Sequence, residues 1–570
     1  IMYSIKKTER VYEPISSFYN LVEHFAGFGD RIVYRYFADG GKNLAEMTYG
    51  EVAAMVRDEA AGLSALGLAG RRVAIIGETS PEWVATFLAI VTSGGIAAPM
   101  DKELAIPEIE GLLASAEIEG IVYSPTFAHK FDGAVASHPS LKFFVPMKPA
   151  DDELIDEKVI PLAKILEAGK ANTGYTPAPP TNLNRLTVML FTSGTTGTSK
   201  CVMLSEKNMV TAINGGCATV NFCRDDTVVS VLPIHHTYEL SHGMFSAMNY
   251  GLVICINDSL KHVLKNFKLF RPTGLVLVPL FVNTMYQRIM KEAEKTGKKR
   301  KLRVGMKISR FLRHLKIDVR KKLFRDVQEA FGGRLVKIIS GGAPLNPKMC
   351  DEFFEFGIQI SEGYGITECS PLISVNPYFA AKDYSVGPAI PGCRARIELD
   401  GRILPPGETG EIVVSGDNVM LGYYHNDEAN AAVFTEDGWF RTGDMGHMDE
   451  DGYIYITGRC KSVIVLENGK NVFPEEIEEY LANVEGVKES VAVGRKAEGS
   501  DEIILTAIVV PDFDAFPKGA TDEEIYKVLH ERIVAMNKKL ASFKQVRALE
   551  IRREEFPKTT SRKIRRHLIH

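Results

Sequence analysis

Short apolar runs, bounded by turn-forming or charged residues, recur along the first two thirds of the chain. Two of them, 72–77 and 186–191, are six residues long and rich in β-branched or large apolar side chains, as buried strands are. Between such runs the apolar positions follow helical spacing, as in the segment that opens at 48–51 and continues through Val52 and Val56. Strands that alternate with helices predict an α/β fold with largely parallel sheets.

After about residue 385 the pattern changes to short strands and turns, at 395–399, 410–414 and 452–456. This pattern is typical of a small β-barrel-like subdomain. The last 110 or so residues combine a hairpin pattern, helical segments and a long apolar strand, enough for a small domain of its own. We predict a large N-terminal domain, 1–459, of α/β subdomains plus the small β-barrel-like subdomain. A small mobile α+β C-terminal domain, 460–570, follows it.

The run 186–191 leads directly into a polar, glycine-rich stretch, 192–200, which reads TSGTTGTSK. A loop of this kind presents backbone N–H groups that can cradle a phosphate, and its hydroxyls and Lys200 add donors and a positive charge. It lacks the Gly-Lys-Ser/Thr ending of the common P-loop, so a phosphate loop of another kind is indicated. A polar loop without a ligand is the alternative.

The bulk composition narrows the class of protein. At 570 residues, 45% hydrophobic and 25% charged, the chain is an ordinary folded protein with more than one domain. The net charge of −4 gives no support for nucleic-acid binding. The eight cysteines include no C-x-x-C pair, which predicts reduced thiols and a cytoplasmic location, without a disulfide framework or a zinc site. No apolar stretch is long enough to predict a transmembrane span.

The composition of two further segments also predicts their roles. The segment 291–325 is strongly basic, and Phe311, Leu315 and Ile317 lie among its lysines and arginines. This favours either a solvated face or peripheral contact with an anionic membrane, such as the inner membrane surface. The segment 168–184, rich in glycine, alanine and proline, is predicted to be a linker.

Seven motifs stand in an order that resembles one known superfamily. They are TSGTTGTSK at 192–200, LPIHHTY at 232–238, SGGAP at 340–344, GYGITE at 363–368, WFRTGD at 439–444, GR at 458–459 and PKTTSRK at 557–563. The chain resembles the adenylate-forming superfamily of acyl-CoA synthetases, firefly luciferase and peptide adenylation domains. Within it, the chain looks most like a bacterial long-chain fatty acyl-CoA ligase.

The resemblance implies a two-step reaction. A carboxylate attacks the α-phosphate of ATP to give acyl-AMP and pyrophosphate, and the thiol of CoA then displaces AMP to give acyl-CoA. The implied partners are a fatty acid, ATP, Mg²⁺ and CoA. The N-terminal domain would bind the nucleotide, and the C-terminal domain would be a lid that carries the catalytic lysine.

The resemblance also implies a role for each matching residue. Thr195 and Glu368 would bind Mg²⁺, Lys563 would neutralise charge at the α-phosphate, His236 would position the carboxylate, and Lys461 would be the hinge between the steps. The residues implied in ATP binding are Ser193, Gly194, Thr195, Thr196, Gly197 and Lys200 at the phosphates, Gly341, Ala343, Pro344 and Tyr364 at the adenine, Asp444 and Arg459 at the ribose, and also Gly342, Gly365 and Thr367.

The chain departs from the usual motifs at several positions. Ser199 stands where proline is usual, Cys201 where glycine is usual, and Arg562 where glycine commonly precedes the lysine. Val465 replaces a lysine that assists thioester formation in some relatives. Two alternative functions are considered: adenylation of a fatty acid with transfer to an acyl carrier protein, and a non-catalytic nucleotide- or lipid-binding relative.

Overall fold

The computed structural model describes residues 12–38, 43–127, 138, 140–148, 157–192, 199–462, 464–465, 471–496, 503–558 and 564–569. The chain forms two compact units. The first extends to Arg394 and resumes over Val414–Phe440, and the second comprises Ala395–Val413 and Arg441–His570. The domain boundary predicted at residues 459 and 460 falls inside the second unit and stays a prediction.

The α-helices of the described residues are α1 (Phe18–Ala26), α2 (Tyr49–Ala65), α3 (Pro81–Thr92), α4 (Ile106–Ser115), α5 (Leu162–Ala171), α6 (Glu206–Thr219), α7 (Ser246–Tyr250), α8 (Val263–Phe270), α9 (Pro279–Lys295), α10 (Lys299–His314), α11 (Arg320–Leu323), α12 (Arg325–Ala330), α13 (Pro347–Glu355), α14 (Asp427–Val433), α15 (Pro474–Ala482) and α16 (Asp522–Asn537). A π-helix, Glu239–Phe245, precedes α7.

The strands are β1 (Ile32–Ala38), β2 (Asn43–Thr48), β3 (Arg72–Ile76), β4 (Ile96–Met100), β5 (Gly120–Tyr123), β6 (Phe143–Pro146), β7 (Leu186–Thr192), β8 (Lys200–Ser205), β9 (Thr227–Ser230), β10 (Val253–Ile256), β11 (Gly274–Leu277), β12 (Lys337–Gly341), β13 (Gln359–Gly365), β14 (Leu372–Val375), β15 (Cys393–Leu399), β16 (Arg402–Ile403), β17 (Gly410–Gly416), β18 (Gly422–Tyr423), β19 (Phe440–Met448), β20 (Ile454–Arg459), β21 (Ile464–Val465), β22 (Asn471–Val472), β23 (Val487–Lys496), β24 (Ile503–Pro511) and β25 (Ala548–Ile551).

Two mixed sheets build the first unit. One has the strand order β18-β8-β7-β4-β3-β5-β6 and the other β14-β13-β12-β11-β9-β10-β1-β2. Strands β3 to β7 pair in parallel, as do β9 to β13, whereas β8 and β18 add an antiparallel edge to the first sheet. The α/β fold predicted from the alternating pattern is confirmed.

The helices begin where the sequence supplies capping residues. Thr48 and Glu51 form a reciprocal capping box at α2, and Ser80 caps α3, whose first residue is Pro81. Behind the seven-stranded sheet, Ile109 and Leu113 of α4 belong to the same buried core as residues of β3 to β6. Burial of these faces positions the strands, and with them the loops at their ends.

The segment 168–184 is only in part a linker, because its first residues belong to α5. Gly169 of α5 and Gly62 of α2 lie where the two helices touch, since a Cβ on Gly169 would lie 1.7 Å from the carbonyl oxygen of Asp58. The prediction was wrong there because glycine and alanine are also the residues that allow two helices to pack closely.

The second unit contains three sheets. The five-stranded sheet β16-β15-β17-β19-β20 corresponds to the β-rich subdomain predicted from the sequence. It is followed by the small sheets β21-β22 and β23-β24-β25, and residues such as Leu481, Leu529 and Val509 form one core there with α15 and α16. None of the eight cysteines, all of which are described, forms a disulfide. No helix in the described ranges is long and apolar enough to cross a bilayer.

Candidate active site

The predicted phosphate loop connects two antiparallel strands. Strand β7 ends at Thr192, whose partner in the ladder is Lys200, the first residue of β8. Residues 193–198 lie outside the described residues, so the roles of Ser193, Gly194, Thr195, Thr196 and Gly197 stay predictions. The loop therefore leads from a buried strand back along its neighbour, whereas in the common P-loop it leads into a helix.

Lys200 and Glu368, both predicted from motifs, meet around a third side chain, Tyr423. The Tyr423 hydroxyl donates a hydrogen bond of 2.8 Å to Oε1 of Glu368. The Lys200 ammonium nitrogen lies 4.7 Å from the centroid of the Tyr423 ring, within cation–π range. Tyr423 reaches this position because β18 pairs with β8, placing it opposite Val202. We call these three residues the phosphate-side cluster.

The electrostatics of the cluster keep the phenol protonated. Burial, and secondly the negative charge of Glu368, raise the pKa of Tyr423 well above its usual value. Tyr423 is therefore a hydrogen-bond donor at physiological pH and orients the carboxylate that it touches. Sequence reasoning missed it. The one available signal is the Gly-Tyr pair at 422–423 after an apolar stretch.

Glu368 offers carboxylate oxygens, the kind of ligand that Mg²⁺ prefers. In the described part of the chain no group of three or more His, Cys, Asp or Glu side chains is placed to hold a metal ion. In nucleotide sites Mg²⁺ is held by one or two carboxylates while phosphates and water complete its shell, and Glu368 is a ligand of that type. Glu368 sits in the short helix Thr367–Cys369 after β13, and its backbone oxygen accepts from Met420 N at 2.8 Å.

The predicted adenine-binding residues lie on adjacent parallel strands. Gly341 ends β12 opposite Gly363 of β13, next to Tyr364. Gly342, Ala343 and Pro344 follow at the carboxyl end of β12 and are exposed, and Gly342 has a φ of +89°. The carboxyl ends of parallel strands are where α/β folds bind ligands. At Gly365 a Cβ would lie 2.0 Å from the Pro371 oxygen, so no larger residue fits there without rearrangement.

His235 and His236 lie between β9 and the π-helix, with ring centroids 4.2 Å apart. His235 Nε2 is 3.7 Å from Asp101 Oδ2. Burial, followed by the neighbouring His236, lowers the pKa of His235 to about 3, so this ring is neutral at physiological pH. The role of His236 at the carboxylate stays a prediction.

Tyr238, two residues after His236, contacts β11 and β12, and β12 leads into the predicted adenine-binding residues 341–344. Its hydroxyl lies 3.1 Å from the Ile339 oxygen and 3.3 Å from the Leu277 oxygen, near the ends of β12 and β11. A Cβ on Gly341 would lie 3.2 Å from the Tyr238 ring, so the ring packs directly under the loop. Sequence reasoning treated this tyrosine only as part of a motif.

The π-helix after Tyr238 carries a buried glutamate and a half-buried histidine that sequence reasoning also missed. Burial raises the pKa of Glu239 to about 8, while the Ser230 hydroxyl donates to Oε1 and partly opposes that shift. Burial lowers the pKa of His242 to about 4. Both groups are therefore largely neutral near pH 7, because desolvation disfavours the charged form of each.

In the second unit, Asp444 and Arg459 face each other across the β19-β20 ladder. Arg459 Nε lies 2.7 Å from Asp444 Oδ1, and the Asp444 side chain is 7% exposed, whereas that of Arg459 is 51% exposed. The Asp444 amide donates to Thr442 Oγ1 at 3.1 Å, and Thr442 donates to the Ile412 oxygen. The ion pair with Arg459 therefore orients the carboxylate, and the Thr442 contacts position its backbone.

The two lysines predicted in the C-terminal part are not both described. Lys461 lies in the short helix Cys460–Ser462 directly after β20, and nothing is described of its side chain. Lys563 lies outside the described residues. The hinge and the catalytic lysine stay predictions.

Lys200 and Glu368 lie in one cluster, and an exposed backbone segment follows the carboxyl end of β12, an arrangement that suits a nucleotide-binding α/β protein. Comparison with known families agrees. The AMP-binding enzyme family matches residues 21–424, and the AMP-binding enzyme C-terminal domain matches residues 461–570. The chain belongs to this family, the adenylate-forming superfamily of ATP-dependent enzymes that activate a carboxylate.

The chain is similar to several characterised members along most of its length. The long-chain-fatty-acid–CoA ligase FadD15 of Mycobacterium bovis is 28% identical over 87% of this chain and 82% of that protein. The indoleacetate–CoA ligase of Aromatoleum aromaticum is 31% identical over 82% of this chain and 83% of that protein. The crystal structure of ATP-bound MatB from Rhodopseudomonas palustris is 26% identical, with a TM-score of 0.73 and coverage of 96% and 98%.

Proposed function

We propose that the protein is an ATP-dependent fatty acid–CoA ligase that forms acyl-AMP and pyrophosphate and then acyl-CoA and AMP. The observation that carries the ligase chemistry is the phosphate-side cluster, in which Tyr423 orients Glu368 beside Lys200. The fatty-acid part is supported by similarity to the long-chain-fatty-acid–CoA ligase. A medium- or long-chain acid is proposed.

In the first step, the negative charges of the carboxylate and of the triphosphate must approach each other. Lys200 and the loop 193–197 would hold the β- and γ-phosphates, and Lys563 would neutralise charge at the α-phosphate as the new bond forms. Mg²⁺, when bound, would withdraw charge from the phosphate oxygens, and Glu368 with Thr195 would hold it. His236 would position the attacking carboxylate.

The nucleoside would be bound by backbone groups at the adenine and by one carboxylate at the ribose. Gly342, Ala343 and Pro344 offer an exposed backbone surface for the adenine beside the buried Gly341, and Tyr364 would stack on the base. Asp444 would accept hydrogen bonds from both ribose hydroxyls. In the second step the CoA thiol would displace AMP after the C-terminal part turns about Lys461.

A second candidate function is an aryl acid–CoA ligase, which the similarity to indoleacetate–CoA ligase favours. A panel of acids from acetate to palmitate, with indoleacetate and benzoate, distinguishes the two when AMP release is measured with and without CoA. Greatest release with a medium- or long-chain acid and CoA is expected. Preference for the aromatic acids would overturn the fatty-acid assignment. Release with an acyl carrier protein but not with CoA would overturn the choice of acceptor.

A further inference from the structure

Helix α10 has a buried face and, opposite it, an exposed apolar face. On the inner face Gly305 and Ser309 are buried, and a Cβ on Gly305 would lie 3.3 Å from the Phe324 ring. On the other face a set of apolar side chains is exposed, at spacings of three or four residues that align them in one stripe. They are Val304 (47% exposed), Ile308 (47%), Phe311 (64%) and, just after the helix, Leu315 (56%). We call this the outer stripe.

The outer stripe is bordered by positive charge. Helix α10 contains seven lysines and arginines and no acidic residue. Among them Arg300, Lys301, Arg303 and Lys307 are exposed, and none forms an ion pair with any residue in the described ranges. Across 291–325 there are fifteen lysines and arginines and three acidic residues, so the positive field extends beyond the helix.

The inner face is anchored to the body of the first unit. Arg313 forms an ion pair with Glu355 at the end of α13, and Arg310 Nε lies 3.3 Å from the same carboxylate. Glu355 is 1% exposed, and the Arg313 guanidinium also lies 4.8 Å from the Phe354 ring centroid. Because these contacts fix the orientation of α10, the outer stripe faces outward as a consequence of the fold.

We propose that the outer stripe and its basic border are a docking surface for an anionic membrane. A basic amphipathic helix lies in the interface plane with its apolar residues at the boundary of headgroups and acyl chains. The bordering lysines and arginines then meet anionic headgroups. A second copy of the chain does not suit this surface, because Arg300, Lys301, Arg303 and Lys307 would meet the same four positive side chains of the other copy. The inference rests on this surface alone and not on the proposed acyl substrate.

The test is co-sedimentation of the full chain with vesicles of phosphatidylcholine alone, or of phosphatidylcholine and phosphatidylglycerol in equal amounts. Binding to the anionic vesicles only, and its loss at high salt, is expected. The double variant Lys301→Glu/Lys307→Glu should bind about 30-fold more weakly, since each basic residue near the surface contributes about 1 kcal/mol. Phe311→Ser should bind about tenfold more weakly, because the exposed ring is the largest side chain of the stripe.

Matched controls change an equally exposed apolar residue and two exposed lysines elsewhere in the chain. Ile403 is 64% exposed, as Phe311 is, and Ile403→Ser should bind as the wild type does. Lys170→Glu/Lys527→Glu reverses two exposed charges outside the basic segment and should have a much smaller effect. Melting temperatures confirm that each variant is folded. Equal binding to neutral vesicles, no binding, or wild-type binding by the α10 variants would overturn the proposal. So would a dimer that Phe311→Ser dissociates in the absence of vesicles.

Discussion

The Tyr423 hydroxyl donates to Oε1 of Glu368 at 2.8 Å, which connects the edge strand β18 to the carboxylate proposed to hold Mg²⁺. The two residues are 55 positions apart in the chain. The same tyrosine ring lies beside the Lys200 ammonium group. One side chain therefore positions both a positive and a negative group of the proposed phosphate site.

Tyr423→Phe is expected to lower adenylation without removing either charged group. The ring that contacts Lys200 remains, whereas Glu368 loses a donor, and a hydrogen bond to a charged group contributes about 1.5–3 kcal/mol. We expect an increase of about tenfold in the Mg²⁺ concentration needed for half-maximal pyrophosphate exchange. The measurement is exchange of labelled pyrophosphate into ATP over a range of Mg²⁺ concentrations.

Tyr424→Phe is the matched control. Tyr424 is the next residue, and its hydroxyl also donates to a glutamate, Glu117, at 2.9 Å. That glutamate has no proposed role in the reaction, so the Mg²⁺ dependence of this variant should equal that of the wild type. Identical Mg²⁺ dependence in the Tyr423 and Tyr424 variants would contradict the proposed role of Tyr423.

The sequence was sufficient to predict those helices and strands whose signal lies in a short local pattern. The run 186–191 corresponds to β7 (Leu186–Thr192), and the capping residues at Thr48 and Glu51 mark the start of α2. In both cases the signal lies within the element itself, as an apolar run or as a capping box. Lys200 and Glu368 were likewise selected from short motifs, and the roles assigned to them stay predictions.

Contacts between distant segments could not be predicted. Strand β18 has only two residues, too few for any periodicity, and it forms because Gly422 and Tyr423 pair with the edge of β8. The environment of Glu239 also comes in part from another element, since the hydroxyl of Ser230, the last residue of β9, donates to its carboxyl group. Both missed residues are polar groups whose environment comes from other elements.

Asp444→Asn tests the proposed ribose contact. The change keeps the shape of the side chain and removes the charge that pairs with Arg459 at 2.7 Å. We expect the KM for ATP to rise about tenfold, as the loss of hydrogen bonds to a charged acceptor implies. We also expect the wild type to discriminate against 2′-deoxy-ATP and the variant to lose most of that discrimination. The measurement is kcat/KM for both nucleotides.

Asp451→Asn, in the turn between the same two strands, serves as the comparison for Asp444. It should retain the wild-type KM and the wild-type preference for ATP. If the Asp444 variant still discriminated fully between the two nucleotides, Asp444 would not be the group that contacts the ribose.

Lys563→Ala is expected to reduce acyl-AMP formation about 10²–10³-fold, because removal of one group that stabilises transition-state charge has effects of this size. ATP binding should persist, since other residues are proposed to hold the nucleotide. Rapid-quench measurement of acyl-AMP and equilibrium binding of ATP separate the two effects. Arg562→Ala removes a positive charge one residue away and should have a far smaller effect. An equal loss in both variants would indicate general electrostatics instead of a specific contact.

Glu239→Gln is expected to change how stability depends on pH. Burial raises the pKa of Glu239 to about 8 in the folded protein, against an ordinary value of 4.5. Between about pH 5 and pH 8 the unfolded chain releases this proton while the folded chain keeps it, so stability from this group falls as pH rises. Glutamine has no proton to release. The free energy of unfolding of the variant should therefore increase, relative to that of the wild type, as the pH rises. The gain across this window is on the order of 4 kcal/mol.

The measurement is the difference in melting temperature between variant and wild type at pH 5 and at pH 8. All other titrating groups are common to the two proteins, so a difference that grows with pH isolates Glu239. The amide oxygen of the variant can still accept from Ser230, which preserves the contact made by Oε1. Glu523→Gln, at an exposed position on α16, should show no such growth. An equal difference at both pH values would mean that Glu239 is ionised in the folded protein.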